Sequence, residues 1–463
     1  MLLDERMVNL VPVLRLDRGR RVLWCQENPR EMTPAVSGAD PSLTAADAWG
    51  DIMEKAGARG PGWGQTGSVA IVGGGPAGLV TAVALARRGF RTSVFERDQH
   101  PRLAARFNPE RSYTIDITGH GLRALRHIEA TPYFDARMLR FKGIQQQGRV
   151  VDQWSEPGWT GSRGDILRAL MDLIGDHYAE SVDLRFETGV TDVDLHTGTV
   201  VCETAQGTST RRFDLVVGAD GACSVVRQAM QEQVPGFVVH TTSIPTYVTM
   251  IELSRVGDRL DKHYLQALSV HHFNVAGAVN GDEGPQCPRW ICWVGSKEAL
   301  AWRSVDDARE YFRRVCPAIL DLASDDDVAA FVQRPGYHVG RTASCSRLHA
   351  GRAVLLGDAA AVFPPIGQGV NAAMESAAAL DRCIGEAGSD LAGGAARYDA
   401  AWKPEADAVS WIAQRVLFEE PLDMLRSGVT TLLGVHAAGR TRSAELPYSE
   451  VRRRAERLGP VWL

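Results

Sequence analysis

Three glycines with the spacing Gly73-x-Gly75-x-x-Gly78 form the first group of residues that could bind a ligand. In this pattern the first glycine permits a tight turn, the second lets the backbone approach a pyrophosphate, and the third lets a helix pack closely against a strand. The phosphates then lie at the positive N-terminus of the helix. Glu96 ends the next strand, where an acidic residue accepts hydrogen bonds from a ribose hydroxyl. These residues predict a dinucleotide site, and the alternative is a glycine-rich turn in an unrelated α/β protein.

Asp220 belongs to a second group, which begins where an apolar strand at residues 213–217 ends. Ser224 and Arg227 follow it closely. The carboxyl ends of strands line the ligand crevice of α/β sheets, so Asp220 is a candidate ligand-binding residue. Taken alone, however, an Asp-Gly pair after a strand is only a turn signal, and a simple turn is then the favoured interpretation.

Asp358 belongs to the third and most specific group. It lies in a turn after an apolar strand at residues 353–356, and a loop rich in proline and glycine, 363–371, follows it. Glycines in this loop would let the backbone pass closely under a planar ring. The alanine-rich helix that starts near Gly369 would direct its N-terminus at that ring, where it stabilises negative charge by up to about 1–2 kcal/mol.

Alternating strands and helices must position these groups, and they predict an α/β fold. Residues 68–72, 77–88 and 91–96 have the pattern of a strand, a helix and a strand, which is a βαβ unit. Residues 237–295 are β-rich with turn signals between the segments, including strands at 238–242 and 247–253, which predicts an inserted antiparallel sheet. Helices are predicted at 166–174, 305–315, 320–332, 369–384 and 395–435, the last with breaks at Pro404, Pro421 and Gly434.

The predicted division of the chain has five parts: an N-terminal extension at 1–67, the first part of a cofactor domain at 68–236, a β-rich substrate lobe at 237–333, the second part of the cofactor domain at 334–395, and C-terminal helices at 396–463. The extension is rich in proline and glycine, which is typical of a flexible segment. A short strand at 8–14 and a helix at 44–55 are possible within it. A mis-assigned start codon is an alternative, with Met32 or Met53 as the true start.

Composition and charge exclude several classes of partner. The chain has 463 residues and a formal net charge of −5, which gives no electrostatic case for nucleic acid or an anionic membrane. Its eight cysteines include no CxxC pair, so we expect no zinc site and reduced thiols in a cytoplasm. No secretory signal is evident, and no apolar run approaches the roughly 20 residues that span a bilayer. We therefore expect a cytoplasmic protein.

In their order along the chain, the three groups resemble the single-component aromatic-ring hydroxylases, the class A FAD-dependent monooxygenases. The resemblance covers about residues 68–415 and implies a Rossmann-like FAD-binding domain with an inserted β-sheet substrate lobe and C-terminal helices. It implies FAD as the cofactor, with NADPH or NADH as co-substrate. The residues implied to bind FAD are Gly73, Gly75, Pro76, Ala77, Gly78, Glu96, Arg97, Arg163, Asp220, Asp358, Gly367, Gln368, Gly369, Val370 and Asn371. For Arg163 the alternative is an exposed arginine in the first turn of a helix.

Two stretches resemble, within this family, the kynurenine 3-monooxygenase-like enzymes. Residues 110–115 resemble the segment in which an arginine, here Arg111, binds the substrate carboxylate, and Tyr113 is a further candidate in the same segment. Residues 367–372 resemble part of the C-terminal half of those enzymes. Their second carboxylate ligand, a tyrosine, falls near Leu125 here, and we expect no membrane anchor. Arg111 could instead pair with an acidic or enolic substrate, or bond the flavin edge.

The substrate pocket is expected between the second-lobe sheet and the flavin. Alternation along a strand would point one set of side chains inward, and the candidate lining residues are Tyr247, His271, Phe273 and Asn371. Ordinary packing is the favoured alternative for each of them. The adjacent His271 and His272 would point to opposite faces, so they cannot share one metal. The candidate catalytic residues are Arg111, Pro365 and Asn371.

The resemblance implies an oxidoreductase of secondary metabolism that hydroxylates or epoxidises an electron-rich aromatic small molecule. NAD(P)H would reduce the flavin, and oxygen from O2 would reach the substrate through a flavin C4a-hydroperoxide. The protein would be a monomer or a homodimer. Three alternatives stay open: a flavin-dependent halogenase, whose tryptophan motif is poorly matched around Trp290; a related flavin-dependent reductase; and a non-catalytic flavoprotein that uses residues 1–67 to recruit a partner.

Overall fold

The computed structural model describes residues 67–103, 114–269, 274–281, 284–334, 336–388, 390–416, 437–443 and 445–457. The strand predicted at 8–14 and the helix predicted at 44–55 lie outside these residues. The same is true of the helix breaks predicted at Pro421 and Gly434.

A six-stranded sheet forms the first layer of the fold, and its strands are β1 (Ser68–Val72), β2 (Arg91–Phe95), β6 (Val182–Arg185), β10 (Leu215–Gly218), β16 (His349–Ala350) and β17 (Ala353–Leu355). Their order in the sheet is β16-β17-β10-β1-β2-β6. Every neighbouring pair is parallel except β16 and β17. Parallel strands bring their carboxyl ends to one edge, so β1, β10 and β17 end side by side. The α/β fold and the βαβ unit are thereby confirmed.

A nine-stranded mixed sheet forms a second layer, made of β3 (Ile115–Ile117), β4 (Leu139–Gln146), β5 (Arg149–Gly161), β11 (Val239–Glu252), β12 (Tyr264–Ala267), β13 (Asn274–Gly281), β14 (Gly284–Ser296), β15 (Tyr337–Cys345) and β18 (Ala361–Val362). Its order is β18-β15-β11-β14-β13-β12-β4-β5-β3. The pair of β12 and β4 is parallel, and the other pairs are antiparallel. The sheet takes strands from both sides of residues 237–333, and the division into five parts stays a prediction.

The strand β11 corrects one detail of the sequence analysis. Two strands were predicted at 238–242 and 247–253, but the structure has one continuous strand with a register shift between Ile244 and Tyr247. A bulge of this kind bends a strand without ending it, because only the local pairing is interrupted.

The helices are α1 (Pro76–Arg87), α2 (Gly119–His127), α3 (Thr131–Arg137), α4 (Arg163–His177), α5 (Val225–Gln233), α6 (Val305–Val315), α7 (Pro317–Leu322), α8 (Asp325–Val332), α9 (Gly357–Ala360), α10 (Gly369–Glu386), α11 (Leu391–Val416), α12 (Ala437–Arg440) and α13 (Tyr448–Arg457). A three-stranded antiparallel sheet holds β7 (Gly189–Asp194), β8 (Thr199–Thr204) and β9 (Gly207–Arg212).

Two helix predictions change in the structure. The helix predicted at 320–332 is divided between α7 and α8, because Ser324 and Asp327 form a capping box that starts a new helix there. Pro404 does not break the predicted C-terminal helix but lies inside α11. The buried Trp402 and Ala406 flank it, and packing against the core outweighs the local preference of proline.

Two large buried cores stabilise these layers. The larger core surrounds the parallel sheet and includes α1 and α10, whose many alanines let the two helices approach each other and the strands. The second core lies between the nine-stranded sheet and α6 to α8, and it is centred on Phe312, Phe331 and Trp290. The parallel sheet and the second lobe therefore each have an apolar interior of their own.

Candidate functional site

The glycine loop connects β1 to α1 in a conformation that only glycine can adopt. Gly73 has a φ of 103°, and a Cβ atom there would lie 2.4 Å from the carbonyl oxygen of Ala219. At Gly78 a Cβ atom would lie 2.0 Å from the carbonyl oxygen of Gly73. Pro76 is the first residue of α1, where its missing N–H leaves no helical hydrogen bond unmade. The loop therefore lies at the carboxyl edge of the sheet, directly before a helix N-terminus.

Glu96 follows β2 and is fixed beside this loop. Its Oε2 accepts a 2.7 Å hydrogen bond from the N–H of Gly74, and its Oε1 accepts a 2.9 Å bond from the N–H of Asp98. The carboxylate therefore has a defined orientation next to the glycine loop. The side chain of Arg97 is 80% exposed, and its Nε lies 4.0 Å from Oδ1 of Asp98.

Arg163 approaches the glycine loop from a different part of the chain. It is the first residue of α4, whose start is fixed by a capping box of Ser162 and Asp165. Its side chain is exposed, yet its Nη2 lies 3.9 Å from the position that a Cβ atom of Gly75 would have. Arg163 is thus an exposed first-turn arginine whose charge lies at the loop, and its contact with FAD stays a prediction.

Asp220 accepts a hydrogen bond from the first residue of α5, whose N-cap is Ser224, and Arg227 of this helix contacts the third group. Asp220 accepts bonds from the hydroxyl of Ser224 at 2.6 Å and from the N–H of Val225 at 2.7 Å. Burial raises its pKa, although these bonds oppose the shift. The guanidinium of Arg227 donates to the carbonyl oxygens of Asp358 at 3.1 Å and Ala359 at 2.9 Å. Sequence analysis noted Arg227 only as a neighbour of Asp220, and its link across the sheet was missed.

The side chain of Asp358 is exposed, although the residue closely follows a buried strand. It lies in α9, a single turn after β17, and protein surrounds it closely enough that desolvation raises its pKa. Arg163 and Arg227 oppose this rise. Because Arg163 also lies at Gly75, the Asp358 carboxylate and the glycine loop are acted on by the same guanidinium.

The side chains of Gln368 and Asn371 hold their own loop instead of facing the cleft, which corrects the prediction that Asn371 lines the substrate pocket. Both are 0% exposed. The Nδ2 of Asn371 donates to the carbonyl oxygens of Asp116 and Gly367, each at 2.9 Å, and its Oδ1 accepts from the N–H of Thr118 at 2.9 Å. With all three bonds formed inside the protein, Asn371 is a positioning residue for the loop.

Gln368 connects the same loop to the C-terminal part of the chain. Its Oε1 accepts a 3.0 Å bond from the hydroxyl of Tyr448, and its Nε2 lies 3.5 Å from Oγ1 of Thr118. In the same loop Gly367 is exposed and Gly369 is half-buried. Pro365 and Val370 are half-buried beside it.

Asp116 was missed by sequence analysis and lies at this loop. It is the middle residue of β3, and its Oδ2 lies 3.7 Å from where a Cβ atom of Gly367 would be. Its Oδ1 is buried and accepts no hydrogen bond from the described part of the chain. Burial raises its pKa to about 7, although Arg442 opposes the shift. The available signal was an acidic residue between two isoleucines in a short strand, because a charged side chain is costly to bury there.

Several predicted site residues lie outside the described ranges, and these are Arg111, Tyr113, His271 and Phe273. Tyr247 is half-buried at the register shift of β11, where its ring packs edge-on against His338 with centroids 5.1 Å apart. Leu125 is fully buried in the larger core, so this position contributes packing and no polar contact.

The residues of the cleft fit an FAD molecule. The glycine loop forms a cradle that a Cβ atom would fill, and Glu96 is oriented beside it. Arg163 supplies positive charge at the loop, and Asp358 supplies an accessible carboxylate further along the cleft. This donor and acceptor set suits an adenosine, a pyrophosphate and a polyol chain in turn. Within the described ranges no group of His, Cys, Asp and Glu side chains suits a metal ion.

The fold and the cleft define a flavin-binding α/β protein, and sequence comparison gives the family. The family described as FAD binding domain matches residues 66–410, and the chain belongs to it. A kynurenine 3-monooxygenase of Salinispora arenicola is 32% identical over 361 residues, which cover 74% of this chain and 77% of the relative. Another, of Stenotrophomonas maltophilia, is 28% identical over 382 residues, 77% of this chain and 79% of the relative.

Solved structures show the same fold. The tetrameric form of 2-methyl-3-hydroxypyridine-5-carboxylic acid oxygenase has a TM-score of 0.58 at 19% identity and covers 85% of this chain and 97% of its own. P. aeruginosa PqsL in complex with 2-aminobenzoylacetate has a TM-score of 0.56 at 20% identity and covers 78% and 98%. The predicted family is confirmed. The chain is an FAD-dependent monooxygenase of the aromatic hydroxylase group, in which NAD(P)H use is typical. No helix among the described residues has both the length and the apolar character needed to cross a membrane.

Proposed function

We propose that this enzyme hydroxylates a small aromatic substrate at a cleft in which the three sequence groups together hold FAD. The observation that carries the proposal is their convergence at the carboxyl edge of the parallel sheet. Gly73 packs against Ala219, Arg227 bonds the carbonyl oxygens of Asp358 and Ala359, and Arg163 reaches Gly75. Residues from distant parts of the chain thus come together at one edge of the sheet, which supports a site for a long dinucleotide.

Each part of the cleft has its own role in this proposal. Glu96 accepts hydrogen bonds from the ribose, while the glycine loop and Arg163 bind the pyrophosphate. Asp358 accepts from the polyol chain. The backbone near Gly367 and the N-terminus of α10 would hold the ring and would stabilise negative charge on it. When bound, FAD supplies hydride acceptance from NAD(P)H and activation of O2, and the protein orients the substrate and excludes water.

The substrate is proposed to be a small aromatic acid. Arg111 would bind its carboxylate in a bidentate contact, as the resemblance at residues 110–115 implies. The relatives named kynurenine 3-monooxygenase make L-kynurenine a first candidate. Leu125 stands where a second carboxylate ligand would be needed, so other aromatic acids belong in the same panel. A monomeric or homodimeric state and a cytoplasmic location also stay predictions.

The test combines cofactor content with turnover. The purified protein should carry a flavin absorbance spectrum, and one or more aromatic acids should stimulate NADPH or NADH oxidation and gain one oxygen atom by mass spectrometry. The variant Asp358→Ala should lose most of its bound FAD, because the cleft loses its accessible carboxylate. The matched control is Asp183→Ala, since Asp183 pairs with the neighbouring Arg185 on β6. Absence of flavin from the wild type, or full FAD retention by Asp358→Ala, would contradict the proposal.

A further inference from the structure

Asp116 is placed on the face of β3 that looks away from the larger core. Its neighbours in the strand, Ile115 and Ile117, pack into that core. Side chains alternate between the faces of a strand, so Asp116 points to the opposite side. There its Oδ2 lies close to Gly367, which is exposed and belongs to the loop beside the cleft.

The surroundings of Asp116 leave its carboxylate without a full set of partners. Thr160, opposite it on β5, directs its hydroxyl to the carbonyl oxygen of Ala278 at 3.3 Å. Asn371 bonds the backbone carbonyl of Asp116 and not its carboxylate. Oδ1 is consequently buried with no hydrogen-bond donor in the described ranges. Buried polar atoms are almost always paired in proteins, so an unpaired one beside a cleft indicates a partner that arrives with a ligand.

Among the residues that the structure describes, Asp116 forms no ion pair, and Arg442 is the charged group that acts on its pKa. Arg442, which follows α12, acts on it, but its guanidinium is 3.4 Å from Oδ2 of Asp152 on β5. The loop at 363–369 contains no titratable side chain. Glu375 and Arg123 form a separate buried pair. The carboxylate can therefore serve a ligand instead of an internal ion pair.

We propose that Asp116 is a substrate-recognition residue, whose carboxylate accepts a hydrogen bond from an amine or hydroxyl group on the ring of the aromatic substrate. The inference rests on the proposed function, because it places that ring next to the loop at Gly367. A ring with such a donor satisfies Oδ1, whereas a ring without one leaves the carboxylate desolvated and unpaired. The residue thus selects amino- and hydroxy-substituted rings, which are also the electron-rich rings that accept an oxygen atom readily.

Two matched sets of probes test this selection. L-kynurenine and 3-benzoylalanine differ only in the ring amine, and 4-aminobenzoate and 4-hydroxybenzoate differ from benzoate only in one donor. Dissociation constants are measured from the change in flavin absorbance of the holoenzyme, at pH 6 and pH 8. In at least one set the donor-bearing probe should bind the wild type about tenfold more tightly than its parent at pH 8. Because the pKa of Asp116 is about 7, roughly a tenth of the carboxylate is ionised at pH 6, and the preference should shrink there.

The decisive variant is Asp116→Asn, which keeps the shape of the side chain and removes its charge. The preference for donors and its pH dependence should fall to within about threefold, and the content of bound FAD, measured by absorbance, shows whether the variant is folded. Asp152→Asn is the control, because it removes a carboxylate from the same sheet and a partner of Arg442. It should keep the preference at pH 8.

The possible results separate this inference from the proposed function. If wild type and Asp116→Asn show the same preference, or if no probe set shows a preference, the role of Asp116 is wrong. Hydroxylation of aromatic acids by the wild type would then still uphold the proposed function. Absence of bound flavin from the wild type would instead contradict the proposed function itself.

Discussion

At the scale of single residues, Glu375 carries a fully buried negative charge that two arginines stabilise. It is 0% exposed, and its carboxylate is 3.1 Å from Nε of Arg123 and 2.8 Å from Nη2 of Arg382. Burial by itself would raise its pKa, but the two arginines hold that pKa at about 2. The nearby His120 is also buried, and desolvation together with Arg123 lowers its pKa to about 3, so it stays neutral and stacks on Tyr448.

We expect Glu375→Gln to lower the free energy of unfolding by about 3–5 kcal/mol at pH 7, measured by urea denaturation, because it removes a buried carboxylate that forms ion pairs with two arginines. The folded pKa lies below the unfolded value of 4.5, so the stabilisation is present above that value and is lost as the pH falls towards 2. The difference between the two proteins should therefore shrink over that interval. The control Glu456→Gln, in an exposed pair with Arg452, should change stability by less than about 0.5 kcal/mol. Equal effects of both changes would show that burial of the cluster is unimportant.

At the scale of elements, the cleft is made where three strands end beside each other. The N–H of Ala219 bonds the carbonyl oxygen of Val72 at 2.8 Å, and the N–H of Leu356 bonds that of Gly218 at 2.9 Å. The ends of β1, β10 and β17 are thereby held in register, and the turn after each strand faces the same cleft. The site is precise because backbone bonds between strands fix these turns.

Gly73→Ala tests the close approach of two of these turns. The new Cβ atom would meet the carbonyl oxygen of Ala219, and the positive φ disfavours any side chain there. We expect FAD retention to fall at least about tenfold and the melting temperature to drop. Gly175→Ala is the matched control, because a Cβ atom at that position in α4 meets nothing within 4 Å. It should leave FAD binding unchanged and stabilise the fold by up to about 1 kcal/mol. Normal FAD binding by Gly73→Ala would show that the loop can move without loss of the site.

At the scale of the whole molecule, the C-terminal helix α13 is connected to the loop at 363–369. Tyr448 at its start is fully buried and donates to Gln368, which precedes Gly369 at the beginning of α10. Glu405 of α11 fixes the same helix end, because its Oε2 accepts a 3.0 Å bond from the N–H of Ser449. The end of the described chain thus supports the loop that precedes α10.

The variant Tyr448→Phe should lose about 1–2 kcal/mol of stability, because Oε1 of the buried Gln368 is left without its donor. FAD affinity, measured by fluorescence titration of the apoprotein, should weaken severalfold, since the loop loses a support. Tyr133→Phe removes a hydroxyl that bonds the exposed Asp176, and both properties should stay within error of the wild type. If FAD affinity is unaffected in Tyr448→Phe while stability falls, the C-terminal helix stabilises the fold without positioning the loop.

The sequence alone determined the features that depend on neighbouring residues. The strand at 68–72, the glycine loop and the helix behind it follow from apolar periodicity and from positions that only glycine can occupy. The order of the three groups was sufficient to predict the α/β fold, the family and the use of FAD. Glu96 also lies beside the glycine loop, where the pattern predicted an acid.

Tertiary contacts were needed to show which of these side chains lie in the protein interior and support the site. Asn371 and Gln368 lie in the most specific motif, yet long-range hydrogen bonds to Asp116, Thr118 and Tyr448 turn them into the protein. Pro404 continues a helix because distant packing outweighs its local preference. Asp116 became a candidate only when β3 was placed against the loop at Gly367, since partners far apart in sequence set its burial and its missing hydrogen bond.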